Sequence, residues 1–510
     1  MYLKHKLALI LTIAALVFYS CGTMQYAPDV HPVNFTILQM NDVYEIAPLE
    51  GGRVGGIARV ATVFDDLKKK NPNTISVLSG DFLSPSLMGK LKENGKKIAG
   101  MQMVEALNAM GLDYVTFGNH EFDLKTYELL QERIDSSNFE FICNNVYHND
   151  NGDIVPFTQK GKKISSGKIL TFTNKYGGVV KVGLTGTVLP FNKKDYVHYT
   201  DPFDATKTAY EELKSKSDIL INITHLFIDD DKKMAEQFPE FNLLIGGHDH
   251  TNMKFIVGNT TITKADANAK TIYIHHFSYN PVTKVTTLRS ELMPITNTIA
   301  DEPKTEAVVQ KWVKKQDKLL REMGYTPDEM VMVTTEPLIC TESAIRSQQT
   351  NFGRITLEAF EAAMPGADVY MLNSGSMRLD DNLSGTITQY DILRTFPYGG
   401  AIVRVNIPGD VLSDILTIGT VDNKTEGGYL QINHVTGTPG HWKINGDVIS
   451  SKREYSVVMP KFLASGREAN LEMIGNYLTK KMIPNTFSID GRTVKNDIRD
   501  MVIDYMKHKL

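Results

Sequence analysis

The feature of the sequence that most constrains the fold is a series of five short apolar runs, each of which ends in polar residues. The runs have the length and composition of strands, and they alternate with helix-like stretches from Asn34 to about Ser290, as is typical of an α/β domain. They span 35–40, 74–78, 114–117, 219–223 and 241–245. Because ligand sites in open α/β sheets form beyond the carboxyl ends of strands, we expect the residues that follow the runs to face one crevice.

The residues that follow these runs are of the types that bind metal ions. They are Asp42, Asp81, Asn119 with His120, His225, and His248 with His250. A single strand-terminal Asp is more often a turn former, and a single His is more often structural, but five such ends together predict a metal site. Imidazole and carboxylate ligands in combination favour a borderline divalent ion such as Zn, Mn, Fe or Co.

Three of the strand ends resemble the motifs of the calcineurin-like metallophosphoesterases. The matching segments are Gly80-Asp81, Gly118-Asn119-His120-Glu121 and Gly247-His248-Asp249-His250. Their order and spacing are most similar to those of the bacterial 5'-nucleotidase family, from about Phe35 to the C-terminus. The resemblance implies an α/β fold, with a four-layer α/β/β/α sandwich as the first domain and a second α/β substrate-binding domain joined to it by a helix.

The resemblance also implies a role for each polar residue in the hydrolysis of a phosphomonoester. Asp81 would bridge two divalent ions, Asp42 and His250 would bind the first ion, and Asn119, His225 and His248 would bind the second. Two such ions can clamp the oxygens of a phosphoester and activate a water molecule. His120 and Asp123 match a pair that acts at the leaving group, where imidazole protonates the departing oxygen and the carboxylate fixes its tautomer. The alternative for Asp123 is a cap of the following helix.

One departure from the family concerns the first ion. The family reads Asp-x-His at this point, whereas this chain has Asp42-Val43-Tyr44. A phenol is a poorer neutral ligand than an imidazole, so the first ion is expected to bind more weakly or differently. Glu45 is an alternative ligand, and a packing role for Tyr44 or a decayed, inactive site are the other interpretations.

Segments beyond Val331 resemble the 5'-nucleotidase C-terminal domain. They are 346–354, 373–378 and 396–400, and by resemblance they supply the substrate-binding residues Arg346, Asn373, Gly375, Arg378 and Tyr398. The planar guanidinium fork suits a phosphate, and the alternative for each arginine is a surface salt bridge. The family holds a nucleobase between two aromatic rings. Tyr398 matches the first ring, but Asn470 stands at the position of the second.

The N-terminus has the pattern of an export sequence. Basic residues precede an apolar run over 7–19 that is too short to span a bilayer, and Ser20-Cys21 follows it. We therefore predict a signal peptide over 1–20, lipidation at Cys21, a lipid-anchored tether over 21–33, and localisation on a bacterial membrane facing the periplasm or the cell exterior. The alternative is an uncleaved anchor.

The rest of the chain divides into three parts. We predict a metallophosphoesterase domain over 34–300, an interdomain helix over 301–326 and a 5'-nucleotidase C-terminal domain over 327–510. The helix is indicated by Pro303 at its start, an apolar stripe and Gly324 at its end.

Charge and cysteine content exclude other classes of protein. Lys and Arg number 55 against 59 Asp and Glu, which argues against a nucleic acid polymer as partner, and three cysteines do not make a disulfide framework. The function predicted is metal-dependent release of phosphate from nucleoside 5'-monophosphates, with nucleotide sugars as a further substrate class, outside the cytoplasm. The alternatives are hydrolysis of another small phosphoester or cyclic nucleotide, and a catalytically decayed nucleotide-binding lipoprotein.

Overall fold

A computed structural model describes residues 31–191, 193–379, 381–478 and 483–510. The predicted signal peptide and Cys21 lie outside the described residues. Within them, the chain forms two α/β domains, as the sequence predicts. Among the helices of the described residues, none is long and apolar enough to cross a membrane.

The first domain is built on two six-stranded sheets. In spatial order, the first sheet contains Thr286–Pro294, Thr271–Tyr279, Val33–Met40, Thr74–Ser79, Tyr114–Thr116 and Glu140–Phe141. The second contains Gly167–Thr173, Val179–Val188, Ile219–His225, Phe241–Gly246, Thr260–Lys264 and Met253–Val257. All five predicted strands are present, three in the first sheet and two in the second, and neighbours among them pair in parallel. Their carboxyl ends therefore lie at a common edge of each sheet.

Apolar side chains fill the space between the two sheets, and helices cover the outer faces. The Phe35 ring stacks on Phe172 of the second sheet and on Phe277 of the first, with ring centroids 4.6 and 4.5 Å apart. On the outer side of the first sheet lie Ile57–Lys70, Met101–Met110 and Tyr127–Ser136, and on that of the second lie Pro202–Lys214 and Ile228–Gln237. This is the α/β/β/α layering that the sequence predicts.

The helix between the domains spans Pro303–Glu322, inside the predicted range. The Glu302 carboxylate caps its first turn by accepting hydrogen bonds from Lys304 N (2.9 Å) and Thr305 N (2.7 Å). Trp312 Nε1 donates to Glu105 Oε2 (2.9 Å), so the helix packs on the outer helical layer of the first domain.

The second domain contains a four-stranded sheet in the order Ile402–Pro408, Glu454–Pro460, Val369–Asn373 and Leu430–Asn433. Met330–Leu338 pairs with Leu383–Thr388 in a separate ribbon. The longer helices of this domain are Asn351–Ala363, Gln389–Thr395, Gly409–Thr417 and Ile498–Lys509. The first and last of these pack against each other, which joins the C-terminus to the centre of the domain.

Both domains also contain short helices, turns and strands. The short helices are Leu87–Lys90, Glu342–Ile345 and Lys461–Ala464, with 3₁₀ turns at His120–Asp123, Ala267–Ala269, Ser374–Ser376 and Glu472–Tyr477 and a π turn at Ile418–Asp422. The small strands are Lys92–Glu93, Lys96–Lys97, Val146–Asp150, Asp153–Val155, Thr158–Gln159, Lys162–Lys163, Val197–Tyr199, Val435–Thr436, Lys443–Ile444, Asp447–Val448, Thr486–Ile489 and Arg492–Lys495.

Candidate metal centre

Donor atoms from both sheets converge at the carboxyl ends of the strands. Asp42 and Asp81 come from the first sheet and His225 from the second, and one ligand atom of each lies within 4.8 Å of the others. All three side chains are fully buried, and Asp81 Oδ2 is 3.2 Å from His225 Nε2. The crevice that the sequence predicts is therefore a single buried cluster.

Glycine permits the close approach of these strand ends. A Cβ atom on Gly118 would lie 2.2 Å from Asp81 Oδ1 and 2.5 Å from Asp81 N, where no carbon atom fits. The backbone at Asp42, Asp81, His248 and His250 is in the left-handed region, with φ between 53° and 81°. Such conformations cost about 1–3 kcal/mol each for a residue with a side chain, and they concentrate at functional sites.

The donors predicted for the second ion lie together. Asn119 Oδ1 is 3.2 Å from His225 Nε2 and 3.2 Å from His248 Nδ1. The other nitrogen of His225, Nδ1, contacts the carbonyl oxygen of Ser79 at 2.8 Å. A proton on Nδ1 would leave Nε2 free to bind a metal ion, which is how ligand imidazoles are usually oriented.

The donors predicted for the first ion surround the Tyr44 hydroxyl. His250 Nε2 is 3.4 Å from Asp42 Oδ1, and Tyr44 Oη is 3.0 Å from His250 Nε2 and 3.1 Å from Asp81 Oδ2. Tyr44 therefore points its oxygen into the first site. Glu45 is buried beside the C-terminal domain, where burial raises its pKa to about 7 against the opposing effect of Arg394.

The buried charges of the cluster act strongly on one another. Burial would raise the pKa of Asp42, but His225 and His250 outweigh it and hold that pKa far below its usual range. Burial would lower the pKa of His225, but Asp81 and Asp42 raise it to about 9, whereas burial lowers the pKa of His248 to about 3. Two buried carboxylates held ionised by a protonated imidazole form a site whose charge suits divalent cations.

The predicted leaving-group pair lies beside the cluster. His120 Nδ1 is 2.9 Å from Asp123 Oδ2, which also accepts a hydrogen bond from Ser84 Oγ (3.0 Å). The helix that follows is capped by Thr126, so the alternative that Asp123 caps it does not hold. The His120 backbone N–H donates to Asp81 Oδ1 (2.7 Å), which fixes the pair relative to the predicted bridging carboxylate.

Residues of the C-terminal domain reach this site. Arg378 Nη2 is 3.2 Å from His120 Nε2, on the side of the ring opposite Asp123. Arg346 forms an ion pair with Glu342, and Glu342 Oε2 is 3.0 Å from His250 Nδ1. Arg346 therefore makes a salt bridge, the alternative stated for it, whereas Arg378 contacts His120 across the domains.

The other predicted substrate residues contact groups outside the cluster. Asn373 Nδ2 donates to Glu468 Oε2 (2.6 Å), and Gly375 N donates to Gly427 O (2.7 Å). Tyr398 is half exposed, and Lys90 Nζ of the first domain lies 4.6 Å from the centroid of its ring. Asn470, which the resemblance places at the position of the second ring, donates through Nδ2 to Asn423 Oδ1 (2.9 Å).

Two supporting residues were not predicted from the sequence. The buried Glu121 carboxylate accepts hydrogen bonds from four backbone N–H groups, at Asp81 (2.9 Å), Phe82 (2.8 Å), Leu83 (3.1 Å) and Gly118 (2.6 Å). The buried Lys264 ammonium donates to the carbonyls of Leu226 (2.6 Å) and Gly247 (2.8 Å), which adjoin His225 and His248. Glu121 stands inside a recognised motif, whereas nothing local in the sequence marks Lys264.

Comparison with known proteins identifies the same two domains. Residues 35–252 match the family model of the calcineurin-like phosphoesterases, and residues 330–475 match that of the 5'-nucleotidase C-terminal domain. The 5'-nucleotidase of Bos taurus is 23% identical over 86% of this chain and 84% of its own, and the silent protein UshA(0) of Salmonella typhimurium is 24% identical over 98% and 96%. The crystal structure of a Thermus thermophilus 5'-nucleotidase precursor shares the fold, with a TM-score of 0.73 at 17% identity over 93% of this chain and 96% of that one.

Proposed function

Because this chain belongs to the 5'-nucleotidase family of calcineurin-like phosphoesterases and is a hydrolase of that type, we propose that it releases phosphate from nucleoside 5'-monophosphates in a reaction that needs two divalent ions. The observation that carries the proposal is the convergence of Asp42, Asp81 and His225 from two sheets into one buried cluster. His120 and Arg378 lie beside that cluster, where a phosphoester would be cleaved.

The residues fit a pair of ions of the Zn, Mn, Fe or Co type. Asp42, Asp81 and His250 would hold the first ion, with the Tyr44 oxygen beside it, and Asp81, Asn119, His225 and His248 would hold the second. When bound, such ions neutralise the charge of a phosphoester and lower the pKa of a water molecule. The carboxylates are ready to bind, because His225 and its neighbours already keep Asp42 and Asp81 ionised.

His120 is the residue we assign to the leaving group. Burial would raise the pKa of Asp123, but His120 outweighs it and holds that pKa far below its usual range, so Asp123 is ionised and accepts a hydrogen bond from Nδ1–H of the imidazole. Nε2 faces away from Asp123 and accepts from Arg378 Nη2 in the structure. When Arg378 turns to the phosphate and Nε2 takes up a second proton, the ring is an imidazolium that can deliver this proton to the departing oxygen.

Arg378 is the residue we assign to the phosphate. Its guanidinium reaches His120 from the C-terminal domain, and it stays charged because the neighbouring Tyr398, Glu342 and Asp123 outweigh its burial and raise its pKa. A guanidinium at this point stabilises the negative charge that a phosphoryl group carries during transfer. Arg346 would assist when it is released from Glu342.

The test is phosphate release from AMP by purified protein with Mn, Co or Zn. We expect turnover, and we expect His120→Ala to lower it by about 10²–10⁴-fold, the usual contribution of a general acid. The matched control is His198→Ala, which removes an exposed imidazole of the same domain and should leave turnover unchanged. A His120→Ala variant with turnover within twofold of the wild type would contradict the assignment.

A second candidate is hydrolysis of a different small phosphoester, such as a cyclic nucleotide. It is favoured by the missing half of the base clamp, since Asn470 bonds to Asn423 and Lys90 covers the Tyr398 ring. Comparing AMP, a 2',3'-cyclic nucleotide and nitrophenyl phosphate on one preparation separates the two. Strong preference for AMP supports the first candidate, and preference for either other substrate supports the second.

For localisation we propose export and a lipid anchor at Cys21, and this rests on the sequence of residues 1–21 alone. The test is metabolic labelling with palmitate in a bacterial host. We expect label in the membrane fraction of the wild type and none in Cys21→Ala, and equal labelling of both would contradict the anchor.

A further inference from the structure

A carboxylate of the C-terminal domain contacts a predicted metal ligand of the first domain. Glu342 lies in the first turn of the short helix Glu342–Ile345, and its Oε2 is 3.0 Å from His250 Nδ1. Its other oxygen pairs with Arg346, one helical turn later. The side chains of His250 and Glu342 are 10% and 23% exposed, so the contact is largely shielded from water.

The contact determines which nitrogen of His250 can bind a metal ion. A carboxylate accepts hydrogen bonds, so Nδ1 keeps its proton and Nε2 is the nitrogen left to bind an ion. Nε2 is the atom that faces Asp42 Oδ1 (3.4 Å) and Tyr44 Oη (3.0 Å), in the predicted first site. A carboxylate in this place also makes the imidazole a stronger ligand and restricts the rotation of its ring.

We propose that Glu342 is a positioning residue for His250, and that through it the affinity of the first metal site depends on the docking of the C-terminal domain. The inference rests on the two-ion site of the proposed function. It concerns the first ion alone, because the donors of the second ion take their partners from the first domain, as His225 does from Ser79.

A consequence follows from the reciprocity of linked equilibria. If docking of the C-terminal domain raises the affinity for the first ion, binding of that ion must raise the equilibrium constant for docking by the same factor. The first metal ion would then favour docking of the C-terminal domain before any substrate binds.

The test is titration of metal-free full-length protein with Mn²⁺ by calorimetry, in the wild type, Glu342→Gln and Glu342→Ala. We expect two ions in the wild type and weaker binding of the first ion alone in the variants, by about 10–100-fold in Glu342→Ala. Glu342→Gln should bind the first ion with an affinity between those of the wild type and Glu342→Ala, because its amide oxygen can still accept a hydrogen bond from Nδ1–H. The matched control is Glu361→Gln, in a Glu–His pair within the C-terminal domain, where Glu361 Oε2 is 3.1 Å from His434 Nε2. This substitution should change the affinity for neither ion.

Removal of Glu342 also frees Arg346, whose positive charge could by itself repel the ion. Comparing Arg346→Ala with the double variant Arg346→Ala/Glu342→Ala removes this effect, and the double variant should still bind the first ion at least tenfold more weakly. Two ions bound with unchanged affinity in Glu342→Ala would overturn the inference and leave the proposed function standing. A wild type that binds no metal would overturn both.

Interdomain distance provides a readout other than affinity. Fluorescence energy transfer between labels on the two domains should show that Mn²⁺ favours the docked arrangement, in which Glu342 contacts His250, in the wild type. The effect of Mn²⁺ should be smaller in Glu342→Ala. An equal response of both proteins to Mn²⁺ would also overturn the inference.

Discussion

Gly118 gives the most direct test of how the strand ends form the site. Its substitution by alanine adds one carbon atom, which would lie 2.2 Å from Asp81 Oδ1 and 2.5 Å from Asp81 N. Ordinary van der Waals contact begins at 3.4 Å. The added carbon meets the backbone as well as the carboxylate of Asp81, so rotation of a side chain cannot relieve the overlap.

The expected magnitude follows from this overlap. The Asp81 and Gly118 loops must separate by about 1 Å, and misplacement on that scale costs roughly 100-fold in rate, while overpacking of a buried site costs about 1–3 kcal/mol of unfolding free energy. The displaced residue is the carboxylate assigned to both ions. Gly118→Ala should therefore fold, lose about 100-fold in turnover of AMP and bind both ions more weakly.

The assay compares Gly118→Ala with Gly111→Ala in urea unfolding, metal titration and turnover. Gly111 has φ +79° and a Cβ atom there would meet nothing within 4 Å, so its substitution costs backbone strain without overlap. We expect Gly111→Ala to lose about 1 kcal/mol of stability with normal metal binding and turnover. Gly118→Ala with turnover within twofold of the wild type and two tightly bound ions would show that the site does not depend on the close approach of these loops.

Three further predictions concern single residues. Metal binding requires neutral imidazole, and the pKa of His225 in the metal-free protein is raised to about 9. Metal binding at pH 7.5 should therefore release about one proton, and metal affinity should rise as the pH rises toward 9. Calorimetry in two buffers measures the proton release, and no release would contradict the prediction. Tyr44→His should tighten the first ion and leave the second unchanged in a Mn²⁺ titration, whereas weaker binding would show that the phenol is the better ligand here. Tyr398→Ala should lower kcat/KM for AMP by about 5–150-fold, which corresponds to the loss of one stacked base, and leave kcat/KM for ribose 5-phosphate unchanged. An equal decrease for both substrates would exclude stacking.

The strand ends of the first domain could be predicted because their information is local. Each apolar run forms a strand, and the parallel pairing of these strands brings their carboxyl ends to a common edge. The two-domain α/β fold and the family followed from the same segments, and both are confirmed.

Contacts between the domains could not be predicted, because they depend on how two separate folding units meet. Nothing near Glu342 in the sequence indicates that it contacts His250, which lies 92 positions earlier. The same is true of Arg378 and His120, which are 258 positions apart. Lys264 is a similar case, since a lysine in a strand is usually exposed and its buried partner Asp231 is distant in the sequence.

We propose that carboxylates and imidazoles from two sheets hold two divalent ions in one pocket. The most direct test is the metal content of protein reconstituted with Mn²⁺ or Zn²⁺ and freed of excess ion, for the wild type and Asp81→Ala. We predict two ions per chain in the wild type and at most one in Asp81→Ala, because this carboxylate is assigned to both. A wild type that retains no ion, or an Asp81→Ala variant that retains two, would show that Asp81 does not hold a pair of ions.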